Sequence, residues 1–390
     1  MLVAGAGAAV HADGFTAAGL AAHRALAAAG TRTATTALVF AGSRHDDDEY
    51  AGVLRGVART LPGATVTGCS ATGVLTSGEE LENASAVAVL ALGGDESLPP
   101  PLFRLGVRDD SREAGGRLGR EAMRALGGSA RGAALALLID PGELDAADFV
   151  AGVVEAAPEL LITGAGASGG AKGSRVFMNG QAHGDACVAL LFPAALHPTF
   201  GMTQGCQGLT DPMTITAAEG NLILEIEGRS PIDILERALA EPRNRGLGQI
   251  SGHLLAGIGD IMSDGRSDYV VRPFAVAEAD PRALAVAEPV RAGQTIRFAL
   301  RDAIGARDDM KAMLEEQAEA RHDAPARFGV YFNCAGRGSA LYGKPGLDPE
   351  LIRRRFGQLP VIGIESSFEI APACGQPRIH MFTGVLLLAG

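Results

Sequence analysis

The 390-residue chain has no tryptophan, and aromatic residues make up only 5% of it, although 47% of its residues are hydrophobic. Its interior must therefore be built mainly from Ala, Val, Leu and Ile. No apolar run approaches the ~18 residues that a membrane-spanning helix needs. The first residues lack the basic region and the sustained apolar stretch of a signal peptide. These absences predict a protein that does not have the membrane as a partner.

Cysteine and basic charge are also scarce. Five cysteines, at positions 69, 187, 206, 334 and 374, form no CxxC pair and are odd in number, so they predict a reduced, cytoplasmic setting. The formal net charge is −11, and the short arginine clusters, at 353–355 and at 243 and 245, are flanked by acidic residues. Nucleic-acid binding needs an extended basic surface, so no nucleic-acid partner is predicted.

One arrangement occurs three times along the chain: a strand leads into a Gly-led loop and then into a second apolar strand. The copies are residues 65–70 leading to 87–90, 161–166 leading to 188–191, and 360–365 leading to 385–388. Another strand and a helical segment precede each copy. Further upstream, residues 107–110 are similar to residues 300–303 and more weakly similar to residues 1–28. This self-similarity predicts an α/β fold with mixed sheets, built from about three related strand-helix-strand-loop-strand units.

Residues 199–293 interrupt the recurrence. Residues 221–229 alternate apolar and polar side chains, which is typical of a strand with one wet face. Ser230 and Pro231 are suited to a helix start, and residues 269–274 and 284–287 look like further strands. We interpret this segment as an inserted β-rich module that covers a pocket or an interface to a partner.

The ordered motifs of the second half resemble a known family. They are Gly205-Cys206-Gln207-Gly208, Thr214-Ile215-Thr216, Glu219-Gly220-Asn221, Glu227-Gly228, Asn333-Cys334-Ala335-Gly336-Arg337-Gly338, Gly363-Ile364, Phe368-Glu369-Ile370-Ala371-Pro372, and His380 with Thr383. This set is similar to the FIST C-terminal domain, and residues 30–195 resemble the FIST N-terminal domain. Phe368 stands where the family usually has Gly, and Met381 where it usually has Asn. The resemblance divides the chain into an N-terminal domain of two units, 1–196, and a C-terminal domain, 197–390.

Membership of the FIST family implies a sensory protein that binds a small ligand, an amino acid or a related polar metabolite, for signal transduction. Some members are described as haem-binding nitric oxide sensors, so a haem- or iron–sulfur-dependent redox sensor is the alternative. No kinase, cyclase or methyl-accepting segment is visible in this sequence. We therefore expect a stand-alone sensor that passes its signal to a separate protein, without a cofactor unless the haem alternative holds.

Equivalent loops of the repeats should gather at one end of the strands, where ligands bind in open α/β sheets. The candidate ligand-binding residues in the first two copies are Gly68, Cys69, Ser70, Gly164, Gly166 and Ser168. A glycine here lets the backbone approach a ligand, and a serine adds a hydroxyl. The alternative is that each glycine only satisfies a backbone conformation with positive φ.

The third copy adds ionisable side chains, and its candidate ligand-binding residues are Cys334, Arg337, Glu365, Glu369 and His380. Arg337 could clamp a carboxylate or form a salt bridge. Glu369 could bind an ammonium group or have a structural partner. Cys334 could be a nucleophile, but a buried, inert thiol is the simpler interpretation.

Other chemistry has weaker support. Residues 164–169 fit GxGxxG, but a Gly-rich loop and a strand follow them where a dinucleotide site needs a helix. No histidine spacing predicts a metal site, and the acidic run 45–49 is explained by a helix N-terminus. His183 and His380 are the candidates for a haem ligand. The chain has no GxSxG elbow, so a hydrolase or acyltransferase using Cys69 with Ser70, or Cys334, is the weakest alternative, and we expect a non-enzymatic protein.

Overall fold

The computed structural model describes residues 2–45, 47–95, 98–106, 110–169, 173–240, 254–259, 269–373 and 375–390. Several sequence features lie outside these ranges. They are Asp46, most of the 107–110 segment, Gly170 with Lys172, Arg243 with Arg245, and Cys374.

The first unit alternates strands and helices in the predicted order. It comprises β1 (Leu2–Val10), α1 (Gly14–Ala29), β2 (Thr36–Gly42), α2 (Asp47–Thr60), β3 (Thr65–Ala71), the hairpin β4 (Gly73–Thr76) and β5 (Glu79–Glu82), and β6 (Ala86–Gly94). Local sequence sets the helix ends. Asp13 accepts a hydrogen bond from the Thr16 backbone N–H and caps α1, which ends at Gly30 in the left-handed conformation. Asp47, Asp48 and Glu49 of the acidic run form the start of α2, as the sequence predicts.

The second unit repeats this order. It comprises β7 (Leu102–Leu105), α3 (Ser111–Ala125), β8 (Ala134–Ile139), α4 (Ala146–Ala156), β9 (Leu161–Gly166), the hairpin β10 (Val176–Met178) and β11 (Gln181–His183), and β12 (Ala186–Phe192). The described element that follows β9 is therefore a strand. This fits the prediction that residues 164–169 do not open a dinucleotide-binding helix.

The third unit is interrupted after its first strand, β13 (Thr199–Gln204). The inserted module comprises β14 (Cys206–Gly208), β15 (Met213–Glu219), β16 (Leu222–Ile226), α5 (Pro231–Ala240), β17 (Leu254–Gly259), β18 (Val270–Arg272), β19 (Phe274–Val276), β20 (Leu284–Val286) and β21 (Thr295–Arg301). The unit then continues with α6 (Ala303–Ala320), β22 (Phe328–Cys334), α7 (Gly338–Tyr342), α8 (Leu347–Phe356), β23 (Val361–Ser366), the hairpin β24 (Glu369–Ala373) and β25 (Gln376–His380), and β26 (Thr383–Ala389).

Each unit contributes four strands to its own sheet and lends its hairpin to another sheet. The orders are β1-β6-β2-β3-β10-β11, β7-β12-β8-β9-β24-β25 and β13-β26-β22-β23-β4-β5. The second hairpin thus completes the first sheet, the third completes the second, and the first completes the third. The module forms a fourth sheet, β18-β17-β21-β15-β16-β20-β19, with β14 paired to β21.

The three sheets share one apolar core. Equivalent residues on their inner faces, Phe40, Leu138 and Phe332, belong to a single buried cluster. The outer faces pack against helices: α1 and α2 on the first sheet, α3 and α4 on the second, and α6 and α8 on the third. The mixed α/β fold with three related units and a β-rich insert is therefore confirmed. Within the described ranges, no helix has the length and apolar character needed to cross a bilayer.

The predicted position of the glycines is wrong in one respect. Gly68 and Gly164 lie inside β3 and β9, with φ of +153° and +139°, and the loops begin after the strand ends. A Cβ added at Gly68 would lie 1.7 Å from the Val39 carbonyl oxygen, and one at Gly164 would lie 2.0 Å from that of Leu137. The glycines are thus required by the close approach of the neighbouring parallel strand. The predicted start of the insert, residue 199, is also wrong. β13 begins there and pairs with β26, so it belongs to the third sheet, and the insert begins after it.

Candidate functional site

The C-terminal ends of β3, β9 and β23, with the residues that follow them, meet as the sequence predicts. The Ser70 hydroxyl donates to the Ser168 carbonyl oxygen at 2.9 Å, and the Ser168 hydroxyl donates to the Glu365 carbonyl oxygen at 2.5 Å. Ser367 donates to the Ala167 carbonyl oxygen at 2.9 Å. Segments from all three units are therefore tied together. Ser70 and Ser168 are buried and use their hydroxyls within the protein.

Glu369 lies in a polar cluster on the inner side of the third unit. It is fully buried, and its carboxylate accepts hydrogen bonds from the Ser366 hydroxyl at 2.7 Å and from the Thr383 hydroxyl at 2.7 Å. Burial raises the pKa of Glu369 to about 7, against these hydrogen bonds. The structure thus gives Glu369 structural partners.

The two candidate cysteines, Cys69 and Cys334, are buried. Burial raises the pKa of Cys334 to about 12, with the nearby Glu369 carboxylate acting in the same direction. The Cys334 sulfur accepts from the backbone N–H of Phe382 at 3.2 Å. Cys69 lies in the central core, where burial raises its pKa still further. A neutral thiol is a poor nucleophile, so this geometry activates neither cysteine.

His380 faces Glu369 across the β24–β25 hairpin register. It is fully buried, its Nε2 lies 3.0 Å from the Ala371 carbonyl oxygen, and its Nδ1 has no partner in the described structure. Burial lowers the pKa of His380 to about 3, and the charges of Arg272 and Arg378 contribute in the same direction. The imidazole is therefore neutral. The other candidate histidine, His183, is half-buried and packs against Phe103, with the two rings tilted by 49°.

Arg337 lies on the outer side of the third sheet in a buried ion pair. Its Nε and Nη2 donate to Asp348 at 3.0 and 3.2 Å, and Nη2 also donates to Tyr342 at 2.7 Å. Tyr331 donates to the same carboxylate at 2.9 Å. Of the two roles considered for Arg337, the structure has the salt bridge, while Nη1 has no acceptor among the described residues.

Glu365 belongs to a second carboxylate cluster on this outer side. One carboxylate oxygen from each of Glu80, Glu82 and Glu365 lies within 4.8 Å of the other two. Burial, with the neighbouring carboxylates, raises the pKa of Glu365 to about 8 and that of Glu80 to about 7. The buried Asn333 side chain donates to Glu80 Oε1 at 3.2 Å.

The ionisable residues predicted from the third copy therefore fall into separate places. Glu365 and Arg337 lie on the outer side, whereas Glu369 and Cys334 lie on the inner side. Sequence reasoning missed Glu80 and Glu82 because their hairpin belongs to the first unit but completes the third sheet. Their two-residue spacing in a strand is the signal that could have placed them on one face.

A cavity of about 350 Å³ lies where the module meets the second and third units. It is lined by Ala147, Val150, Ala151, Arg272, Glu288, Pro289, Pro377, Arg378 and Ile379. Glu288 lies between two arginines. Its carboxylate is 2.7 Å from Arg272 Nη2 and 3.5 Å from Arg378 Nη2. Sequence reasoning did not find this site, because its charged residues are scattered and form no motif.

Family models match nearly the whole chain. The FIST N domain model matches residues 35–229, and the FIST C domain model matches residues 231–372. The chain is a member of the FIST family. FIST domains are sensory domains. The boundary between the two matches falls inside the inserted module, between β16 and α5.

Curated relatives of this FIST protein are uncharacterized. One from Mycobacterium tuberculosis strain H37Rv is 29% identical over 358 residues, covering 90% of each chain. Another, from Mycobacterium bovis, is 29% identical over 359 residues, covering 90% of this chain and 89% of its own. Among solved structures, a cyanuric acid hydrolase from A. caulinodans has a TM-score of 0.27 and 13% identity, covering 49% of this chain and 71% of its own. At that TM-score, the likeness supports no statement about fold or activity.

The hairpin exchange has a consequence for the two FIST domains. Glu80 and Glu82 belong to the FIST N match, whereas Asn333 and Glu365 belong to the FIST C match. The outer carboxylate cluster is therefore assembled from both domains.

Proposed function

We propose that this FIST protein is a non-enzymatic sensor that binds a small zwitterionic metabolite, such as an amino acid, in the cavity at the edge of the inserted module. The observation that carries the proposal is the lining of that cavity. It is concave, bounded on one side by apolar α4 side chains and on the other by Arg272, Glu288 and Arg378. Its volume of about 350 Å³ is within the usual range for small-ligand sites.

The charges of the lining suit a molecule that carries both signs. The Glu288 carboxylate can accept hydrogen bonds from a ligand ammonium group. Among the described residues, Arg378 forms one ion pair, a 3.5 Å contact to Glu288, and 44% of its side chain is exposed. Its guanidinium can therefore turn to bind a carboxylate through two hydrogen bonds. Arg272 is buried and also donates to the Ile379 carbonyl oxygen at 3.0 Å. It therefore holds Glu288 in place.

The position of the cavity supports a sensory role. Its walls come from the module, from α4 of the second unit and from the hairpin that the third unit lends to the second sheet. A ligand there would contact three parts of the chain. Binding would therefore favour one arrangement of the module relative to the units, which a separate signalling protein can detect.

A non-enzymatic, cytoplasmic protein is supported by the state of its thiols. The four described cysteines, Cys69, Cys187, Cys206 and Cys334, are all free. Burial raises the pKa of each, which works against a cysteine-dependent hydrolase. His380 is enclosed on all sides, so its surroundings do not favour a haem ligand.

Thermal unfolding in the presence of amino acids and related carboxylates tests the proposal. A ligand at 100 times its Kd stabilises the folded protein by about 2.7 kcal/mol, which is readily visible as a rise in Tm. We expect at least one zwitterionic compound to raise the Tm, and Arg378→Gln to abolish that rise.

Arg282→Gln is the matched control, because Arg282 belongs to the inserted module, has 70% of its side chain exposed and pairs with Asp233 away from the cavity lining. It should keep the ligand response. The proposal fails if folded wild-type protein responds to no compound, or if Arg378→Gln responds as the wild type does.

A further inference from the structure

The outer carboxylate cluster is built by the register of the third sheet. Asn333 pairs with Glu365 in the parallel register of β22 and β23, and Gly73 pairs with Glu82 in the β4–β5 hairpin. Since β23 also pairs with β4, these residues form one row across four strands. Glu80 lies two residues from Glu82, so it projects from the same face.

Gly73 leaves the space that the cluster needs. A Cβ at Gly73 would lie 2.5 Å from Glu365 Oε2. The Glu365 carboxylate thus occupies the position that a side chain would take in the middle of the row. This brings it against Glu82, so that one carboxylate oxygen of each residue lies within 4.8 Å of the other.

The charge of this cluster is not balanced within the described part of the chain. No lysine, arginine or histidine there forms an ion pair with Glu80, Glu82 or Glu365. Arg337, a buried cation on the same side of the sheet, is already paired with Asp348. Backbone N–H groups hold one oxygen each of Glu80 and Glu82, from Gly346 at 2.6 Å and from Ser339 at 2.7 Å. The three carboxyl groups are therefore fixed close together, and no described cationic side chain is paired with them.

Asn333 supplies an independent indication of a ligand. It is 0% exposed, and its Oδ1 has no hydrogen-bond partner, although buried polar atoms are nearly always paired. Its Nδ2 contacts Glu80 Oε1, so the amide group lies directly against the carboxylates. Rotation of the amide by half a turn exchanges the two atoms and presents Oδ1 to the cluster as a fourth oxygen.

We propose that Glu80, Glu82, Glu365 and Asn333 form a binding site for one divalent cation that joins the FIST N and FIST C domains. Carboxylate and amide oxygens are the ligands of hard cations, so the ion is of the Mg²⁺, Mn²⁺ or Ca²⁺ type. It would balance the three carboxylates and take up the free Asn333 oxygen. It would also fasten the first unit's hairpin to the third unit.

Titration of EDTA-treated, dialysed full-length protein with Mn²⁺, Ca²⁺ and Mg²⁺ by calorimetry, with Tm measured in parallel, tests this site. We expect binding of one ion per chain by at least one of these cations, accompanied by a rise in Tm. Glu365→Gln should weaken the binding about tenfold or more, because it removes a charged ligand.

Glu79→Gln is the matched control, because Glu79 is in the same hairpin strand but is exposed on the other face. It should bind as the wild type does. If Glu365→Gln does not fold, Glu82→Gln replaces it, since Glu82 is only half-buried. The proposal is overturned if folded wild-type protein binds none of the three cations up to about 10 mM. It is also overturned if the cluster variant that folds binds as tightly as Glu79→Gln.

Discussion

The third unit differs from the first two at positions that the backbone makes equivalent. Glu365 corresponds in register to Ser70 and Gly166, and Glu369 corresponds to Val74 and Val176. The first two units place small or apolar residues at these positions. The third unit places carboxylates there, and each has its own hydrogen-bonding partners.

This comparison separates scaffold from chemistry. The strands, the outer helices and the exchanged hairpins are common to all three units, whereas buried ionisable groups are concentrated in the third. Burying a charge destabilises a protein unless partners compensate for it. A unit that carries several such groups is therefore the first place to look for a ligand or an ion.

The largest effect should come from the buried ion pair that distinguishes the third unit. Arg337→Met leaves the buried Asp348 with the Tyr331 and Tyr342 hydroxyls as its side-chain partners among the described residues. We therefore expect a loss of about 3–5 kcal/mol in the free energy of unfolding. Urea denaturation measures it. Arg337→Met combined with Asp348→Leu should be less destabilised than Arg337→Met alone. A loss below about 1 kcal/mol in the single variant would contradict the prediction, because an exposed surface ion pair contributes that little.

A smaller loss should follow from changing a feature that the units share. Gly164→Ala drives a Cβ into the Leu137 carbonyl oxygen at a positive φ, and Gly68→Ala does the same at Val39. We expect each to lower the free energy of unfolding by about 1–3 kcal/mol. Gly78→Ala is the control, because its Cβ would meet nothing within 4 Å. Equal stability of the Gly78 and Gly164 variants would contradict the strand geometry.

The pH dependence of stability should trace to the third unit. The pKa of Glu369 is raised from its ordinary value of 4.5 to about 7, so the folded state holds a proton that the unfolded state releases. Stability from this group is complete below pH 4.5 and is lost as the pH rises through about 7. Glu80 and Glu365 act in the same direction.

Urea midpoints measured in EDTA between pH 4.5 and 8 check this. Glu369→Gln should flatten the fall, because glutamine cannot titrate. An unchanged slope in this variant would mean that Glu369 does not hold the proton.

The smallest effect should come from an ion pair of the second unit. Arg112 of α3 contacts Glu155 and Asp148, but more than half of each side chain is exposed. Surface pairs are screened by water and salt, so Arg112→Gln should leave the urea midpoint unchanged within error. A shift in the urea midpoint as large as that of Gly164→Ala would contradict the expectation that this exposed ion pair contributes little to stability.

Much of the scaffold could be predicted from sequence, because apolar periodicity and recurrent glycines are local signals. The three units, the β-rich insert and the meeting of the Ser70, Ser168 and Glu365 segments all follow from such patterns. The hairpin exchange could not be predicted. The composition of a strand does not specify which other strand it pairs with, and β4 pairs with β23, which lies far along the chain.

The candidate sites were harder to predict, because their residues also come from segments that are distant in the sequence. Arg337 and Glu369 stood out as charged residues beside strands, but only the structure shows that Asp348 and Thr383 are their partners. The cavity depends on Arg272, Glu288 and Arg378, which belong to different elements and have no common motif. Whether the predicted ligand-binding residues contact a ligand stays a prediction.

The exchanged hairpin also determines how the chain can be made. Val361 at the start of β23 donates to the Ser77 hydroxyl of the β4–β5 hairpin, across a separation of 284 residues. At roughly 5–20 residues per second, that hairpin leaves the ribosome about 15–60 s before its sheet exists. During this interval its strand edges are uncovered and open to wrong partners. β5 contains the acidic residues Glu79, Glu80 and Glu82. Their charge disfavours aggregation of the unpaired hairpin until the third unit has been synthesised.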